Sequence, residues 1–301
     1  MSERLGAGRY REQGARTSIG AAGALLLVAV VGLQLSAPPS GSVPATGTRA
    51  HPARPGAVPE IPAGPDGGSG GQTQGGSGVL TSVNWSGYAD TGTTFSAVRG
   101  DWVQPTATCP EDKPQQAAFW VGIGGFVEGD PDIEQIGTDS DCLKVKGKDT
   151  GEPNYYAWFQ MSPQSLVVLP TSSYAVSPGQ SIEASVTVSA PNRYTLAITD
   201  IGHWSFSTPE SQATQPEDAS AEWITEAPSS CNSSGKCKVL PLADFGSVAM
   251  TDGMTDDESV SGPGLAVHEI EMTSKNAKTV KAAPSSLADS GTSFTVTWES
   301  N

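Results

Sequence analysis

Three observations predict an all-β fold: apolar and polar residues alternate with period two, no amphipathic helix of ten or more residues is recognisable, and charged residues make up only 16% of the chain. The alternation is clearest where Ile182, Ala184, Val186 and Val188 interleave with Glu183, Ser185 and Thr187. It recurs where Phe294, Val296 and Trp298 interleave with Ser293, Thr295, Thr297 and Glu299. Period two gives one buried and one wet face, as in antiparallel sheets. Further strands are expected at 97–103, 117–123, 155–160, 165–169, 193–199, 221–226 and 265–272, mostly separated by Gly, Pro, Ser, Asn or Asp clusters. Many short strands of this kind build a sandwich or a barrel.

The 301 residues carry a formal charge of −15, from 17 Lys and Arg against 32 Asp and Glu. So acidic a chain, without a basic run interleaved with aromatics, has no electrostatic footprint for nucleic acid. Its four early arginines, Arg4, Arg9, Arg11 and Arg16, precede the uncharged apolar run 19–35. That is the pattern of an export signal over residues 1–36, or of an N-terminal membrane anchor if it is not cleaved. Residues 37–78 are rich in Pro, Gly and Ala, with eight glycines between Gly64 and Gly78. They bury too little apolar surface to offset their ordering entropy and read as a linker or a propeptide. Residues 79–301 remain as one sandwich-sized domain, secreted or held outside the cytoplasm by the anchor.

Four cysteines in an exported domain favour disulfides. Cys231 and Cys237 enclose the turn-forming Asn-Ser-Ser-Gly-Lys, so a local pair is expected there, leaving Cys109 with Cys142. Zinc is disfavoured because there is no C-x-x-C pair and His51, His203 and His268 stand alone in sequence. No G-x-S-x-G elbow accompanies the histidines, which argues against a serine hydrolase. Asp252, Asp256, Asp257 and Glu258 do not follow a calcium-loop spacing and are read as a solvated loop.

Carboxylate chemistry remains. In Ala221-Glu222-Trp223-Ile224-Thr225-Glu226 the alternation puts Glu222, Ile224 and Glu226 on one face, where burial and mutual repulsion raise a carboxyl pKa. The preceding segment Asp132-Ile133-Glu134-Gln135-Ile136-Gly137 puts Ile133 and Gln135 on one face. These join a series of ordered blocks: Asn84-Trp85-Ser86-Gly87-Tyr88, Trp102-Val103-Gln104-Pro105, Phe119-Trp120-Val121-Gly122-Ile123, Gln135-Ile136-Gly137, Tyr155-Tyr156-Ala157-Trp158-Phe159, the Ala221 to Glu226 block, and Cys231 with Cys237. The series resembles the glutamic peptidases, or eqolisins, from about Val83 to the C-terminus.

The resemblance implies a sandwich of two large antiparallel sheets, lectin-like in architecture, and an acid endopeptidase acting on polypeptides as a monomer. It implies Gln135 and Glu226 as the catalytic pair, with no metal, cofactor or covalent intermediate. In this reading Glu226, ionised at rest, takes a proton from the attacking water and returns it to the leaving amine, while Gln135 holds the water and stabilises the oxyanion. Trp120 and Glu222 are expected at the substrate. Two departures stand out: many relatives have an acid where this chain has Gly124, and another where it has Gln160. A non-catalytic carbohydrate-binding or adhesion sandwich is the alternative. A glycosidase using Glu222 and Glu226 is disfavoured, since residues four apart on one strand are about 13 Å apart, beyond the reach of a carboxyl pair.

Overall fold

Along segments such as 181–187 and 193–200 burial alternates residue by residue, as in strands of a sheet with one covered face. In a computed structural model of the chain, the described residues are 79–301 without 111–113, 128–131, 143, 146–147, 150–151 and 232–236. The expected export segment and linker, residues 1–36 and 37–78, lie outside them. Among the described residues no helix is long and apolar enough to cross a membrane.

These residues form, in chain order, β1 (Leu80–Ser82), β2 (Trp85–Thr91), β3 (Ala97–Val103), β4 (Gln115–Ile123), β5 (Ile133–Cys142), β6 (Lys144–Val145), β7 (Lys148–Asp149), β8 (Asn154–Ser162), β9 (Val167–Val168) and β10 (Ser181–Ala190). They continue with β11 (Arg193–Asp200), β12 (Trp204–Ser211), β13 (Ser220–Glu226), β14 (Ser229–Cys231), β15 (Cys237–Val239), β16 (Ser247–Thr255), β17 (Glu258–Ser259), β18 (Ala266–Thr273), β19 (Val280–Pro284) and β20 (Phe294–Trp298). One 3-10 turn, Asp289–Gly291, is the helical element among them.

Hydrogen bonding runs continuously in the order β12-β11-β10-β3-β16-β20-β19-β18-β2-β13-β4-β5-β8-β9, with β1 added to β18 and β17 to β16, making one sixteen-stranded sheet. The two sheets expected from the resemblance are therefore joined through the β18-β19-β20 connection. The two ends of the ladder face each other, with β10 and β11 against β4 and β5 and β3 against β4 and β13. Between them lies the main core, built around Tyr88, Trp102, Phe119, Tyr194, Trp223, Phe245 and Phe294. A second apolar cluster, with Trp85, Trp120, Tyr156, Trp158, Ile224 and Ile270, lies on the opposite face of the β18-β2-β13-β4-β5-β8 half. That half is thus covered on both sides, and β4, β5 and β13 are buried at nearly every position.

Several expectations change. Asp252 lies within β16 rather than in a loop, beside a bulge between Thr251 and Met254, and its carboxylate is 3.3 Å from Arg99. The strand expected at 165–169 shrinks to the two residues of β9, after the turn that follows the cis Ser162-Pro163 bond. Gly124 has φ +85°, a backbone conformation that favours glycine over an acidic side chain. His203 sits in the β11–β12 turn, its Nδ1 2.9 Å from Asp200 Oδ1, and His268 is on β18 with Nε2 2.8 Å from Thr91 Oγ1. The Cys109–Cys142 disulfide forms as expected. Cys237 is disulfide-bonded and stands in register with Cys231 across the β14–β15 ribbon.

Asp90, on the core side of β2, is fully buried, and neither of its oxygens has a partner. Burial pushes its pKa up to about 8. Between the ordinary carboxyl range and pH 8, folding must therefore add a proton to Asp90, and the stability this acid form supplies is lost as pH rises through 8. Asp90→Asn removes that requirement. A gain in Tm on the order of 5 °C at pH 7, shrinking toward pH 4, is expected in thermal unfolding. An equal change at both pH values would refute the assignment.

Candidate active site

The strand registers arrange one face of the sheet into three transverse rows. The first contains His268, Ala89, Glu222, Gly122, Gln135 and Gln160, on β18, β2, β13, β4, β5 and β8. The second contains Ile270, Gly87, Ile224, Trp120, Gly137 and Trp158 on the same strands. The third contains Trp85, Glu226, Ala118, Asp139 and Tyr156. Successive rows are two residues apart, so all three point to the same side.

Glu226 anchors the third row and is 5% exposed. Trp120 Nε1 donates to its Oε2 at 2.9 Å and Asn84 Nδ2 donates to its Oε1 at 3.2 Å. The Asn84 side chain is oriented by the Ser82 hydroxyl, which donates to Asn84 Oδ1 at 3.2 Å and leaves the amide nitrogen facing Glu226. Burial pushes the Glu226 carboxyl up to about 8, against the downward pull of Trp120, Asn84 and, more weakly, Trp85. The Trp85 indole N–H meets no acceptor in hydrogen-bonding geometry. Burial thus favours the protonated carboxyl, against the expectation of an ionised resting Glu226.

Across Ala118 from Glu226 lies Asp139, which the sequence did not single out. It accepts from Trp158 Nε1 at 2.6 Å, and its Oδ2 is 2.8 Å from the Tyr156 hydroxyl. The same hydroxyl is 2.8 Å from Asp141 Oδ2. One phenol has one proton to donate, so it must accept from one of the two carboxyls, and that carboxyl is protonated. Burial, then the charges of Asp141 and Glu226, holds Asp139 well above the usual carboxylate range, opposed by its Tyr156 and Trp158 donors. Its place four residues after Gln135, on the same face of β5, was the available signal.

Gln135 is 1% exposed and donates from Nε2 to Gln160 Oε1 at 3.2 Å; its own Oε1 has no partner. No hydrogen bond joins it to Glu226, because the two stand two rows apart with β4 between their strands. The Trp120 indole spans that interval. Its Nε1 is on Glu226, while Cζ3, on the far edge of the ring, would lie 2.9 Å from a Cβ placed at Gly122, where Gln135 Cβ would lie at 3.3 Å. Trp85 supports the indole edge-on, with ring centroids 5.1 Å apart. Glu222 is fully buried in the row of Gln135, on the other side of Gly122. The sequence-derived residues thus share one face: Gln135 and Glu222 in one row, Trp120 in the next and Glu226 beyond it.

A model of the peptidase A4 family matches residues 83–298. The chain belongs to that family, the glutamic peptidases. It is a peptide hydrolase whose substrates are polypeptides. Among solved structures, the scytalido-glutamic peptidase bound to a transition-state analogue inhibitor is similar at 22% identity and a TM-score of 0.58, covering 72% of this chain and 98% of that one. SCP-B, an eqolisin in complex with the tripeptide Ala-Ile-His, is similar at 23% identity and a TM-score of 0.53, with the same coverage. These likenesses bear on the fold, which is an all-β antiparallel fold like theirs. Comparison with curated protein sequences finds no match.

Proposed function

We propose that this glutamic peptidase is an exported endopeptidase working in acid, with Glu226 as its proton-transfer group and Gln135 as the amide that holds the nucleophilic water and the reacting carbonyl oxygen. The domain as a whole is read as the lectin-like sandwich, acting as a monomer. The observation that carries the reading is a buried carboxyl held by two N–H donors on the same sheet face as a buried glutamine oxygen without a partner. The Cys109–Cys142 disulfide is consistent with an extracellular setting.

With Glu226 protonated, one of its oxygens gives its proton to the scissile carbonyl oxygen while the other takes the proton released by the attacking water. The carboxyl ends this step as it began, and the intermediate is a neutral gem-diol. In the second step the carboxyl protonates the amine nitrogen, the C–N bond breaks, and a gem-diol hydroxyl returns a proton to Glu226. Gln135 accepts from the water through Oε1 and donates its second N–H to the carbonyl oxygen. Trp120 keeps Glu226 in place, and Glu222 lies in the row of Gln135, across Gly122 from it.

Digestion of denatured casein by the full chain in the presence of pepstatin tests the reading. Cleavage is expected below about pH 5 and should persist toward neutrality, since the limb set by Glu226 lies higher. Gln135→Ala should lower kcat by about 100-fold or more, as loss of a hydrogen-bond donor to the reacting carbonyl oxygen does. Undiminished cleavage by Gln135→Ala would remove Gln135 from the mechanism.

A further inference from the structure

Beside the proposed water-holding amide is a second one whose chemistry sets which way the first can point. Gln160 Nε2 donates at 2.8 Å to the backbone carbonyl of Gln164, and Gln160 Oε1 accepts at 3.2 Å from Gln135 Nε2. The direction of this chain follows from its end. A backbone carbonyl can only accept, so the Gln160 end that faces it must be the NH2 group. The oxygen of Gln160 then faces Gln135, Gln135 must meet it with its own NH2 group, and Gln135 Oε1 is left turned away from Gln160, buried and without a partner.

The carbonyl that starts the chain is itself held. Gln164 N donates to Met161 O at 2.7 Å across the turn containing the cis Ser162-Pro163 bond, and Gln164 Nε2 reaches Ser211 O at 3.4 Å and Gln212 Oε1 at 3.5 Å. Gln212 is in turn held through Nε2, which donates to Ser162 O at 2.7 Å and to Glu134 Oε1 at 2.6 Å.

We infer that Gln160 is a positioning residue for the reaction: with the Gln164 carbonyl it forms an amide relay that fixes Gln135 with its oxygen presented to the attacking water. This rests on the proposed role of Gln135. An amide at position 160 both donates and accepts at any working pH, so the relay holds whatever the protonation of the carboxyls around it. Those are Glu222 on β13 in the same row, Asp139 and Asp141 on β5, Glu226 on β13, and Glu134 behind Gln212. A glutamate in place of Gln160 could serve both neighbours only when protonated, with its hydroxyl on the Gln164 carbonyl and its other oxygen accepting from Gln135. Ionised, it has no proton for that carbonyl.

Two substitutions in the full chain test this by steady-state kinetics on a fluorogenic peptide. Gln160→Leu removes both bonds and lets the Gln135 amide turn over; kcat should fall by about 10-fold or more with KM changed less than about three-fold, because a positioned group has lost its orientation. Gln160→Glu keeps the size of the side chain and stands in if the leucine variant fails to fold. Its kcat relative to the unsubstituted chain should fall by about 10-fold as pH rises through the burial-raised range of the new carboxyl, along a one-proton step absent from the parent. The inference is overturned if Gln160→Leu keeps kcat within about two-fold, or if Gln160→Glu follows the parent pH profile. Gln135→Ala, assayed in parallel, separates the two levels: its full activity would remove the underlying reading, whereas its inactivity beside an unaffected Gln160 series would remove the relay alone.

Discussion

Glu226→Gln is expected to lower kcat by about 1,000-fold or more with KM nearly unchanged, because the substitution removes the one proton-transfer group while keeping the outline of the side chain. The two carboxyl oxygens accept from Trp120 and Asn84. A glutamine there must turn its NH2 group toward one of these N–H donors, so the amide is also poorly seated, and a small fall in Tm should accompany the kinetic loss. The pH profile separates loss of chemistry from loss of fold. Burial raises the parent carboxyl to about 8, and the acid form is the working form, so parent kcat should be present below pH 8 and fall through it as one proton is lost. The residual activity of Glu226→Gln should lack that limb. A variant with substantial kcat and the same limb would show that another group carries the proton, with Asp139, one strand-pair away across Ala118, the first to examine.

The legible strands were those with one wet face. β10 shows it plainly: Ile182, Ala184 and Val186 are buried while Ser181, Glu183 and Thr187 are exposed. β2 and β5 offered no such contrast, since the core covers one side and the site floor the other, and even Glu134, Thr138, Ser140 and Asp141 of β5 are buried. β16 was obscured by its bulge at Asp252 and Gly253, and β12 by Pro209, which an edge strand tolerates. Of the site, alternation put Glu222 with Glu226 and Ile133 with Gln135 on faces of their own strands, and the motif resemblance added Trp120. Their partners were not legible in this way. Asn84 comes from the bend just before β2, Tyr156 and Trp158 from β8 across β5, and the Gln164 carbonyl from a turn; each is brought in by pairing between segments distant in sequence. Alternation fixes which face a residue takes but says nothing of which residue of the next strand lies opposite it.

Gly137→Ala is expected to be among the most damaging single-methyl substitutions on this face. Gly137 sits opposite Trp120 in the central row, and a Cβ there would lie 2.2 Å from the Phe119 carbonyl oxygen, 2.6 Å from Trp120 Cβ and 2.9 Å from Trp120 Cα. These atoms are backbone or bonded directly to it, so no rotamer change relieves the overlap, and β4 and β5 must separate or slide. A destabilisation of about 3 kcal/mol or more is expected, or roughly 10 °C in Tm for a domain of this size. The same shift moves the indole whose N–H holds Glu226, so activity should fall further than the folded fraction does. Gly202→Ala is the matched control: its φ of +82° favours glycine, yet a Cβ there meets nothing within 4 Å, and a cost of only about 1 kcal/mol is expected. Thermal unfolding and kcat measured on both variants test the contrast. If the two alanines lower Tm equally, the close packing of Trp120 over Gly137 is not what that glycine is for; if Gly137→Ala alone collapses, the glycine of the Gln-Ile-Gly block is there to admit the tryptophan that positions Glu226.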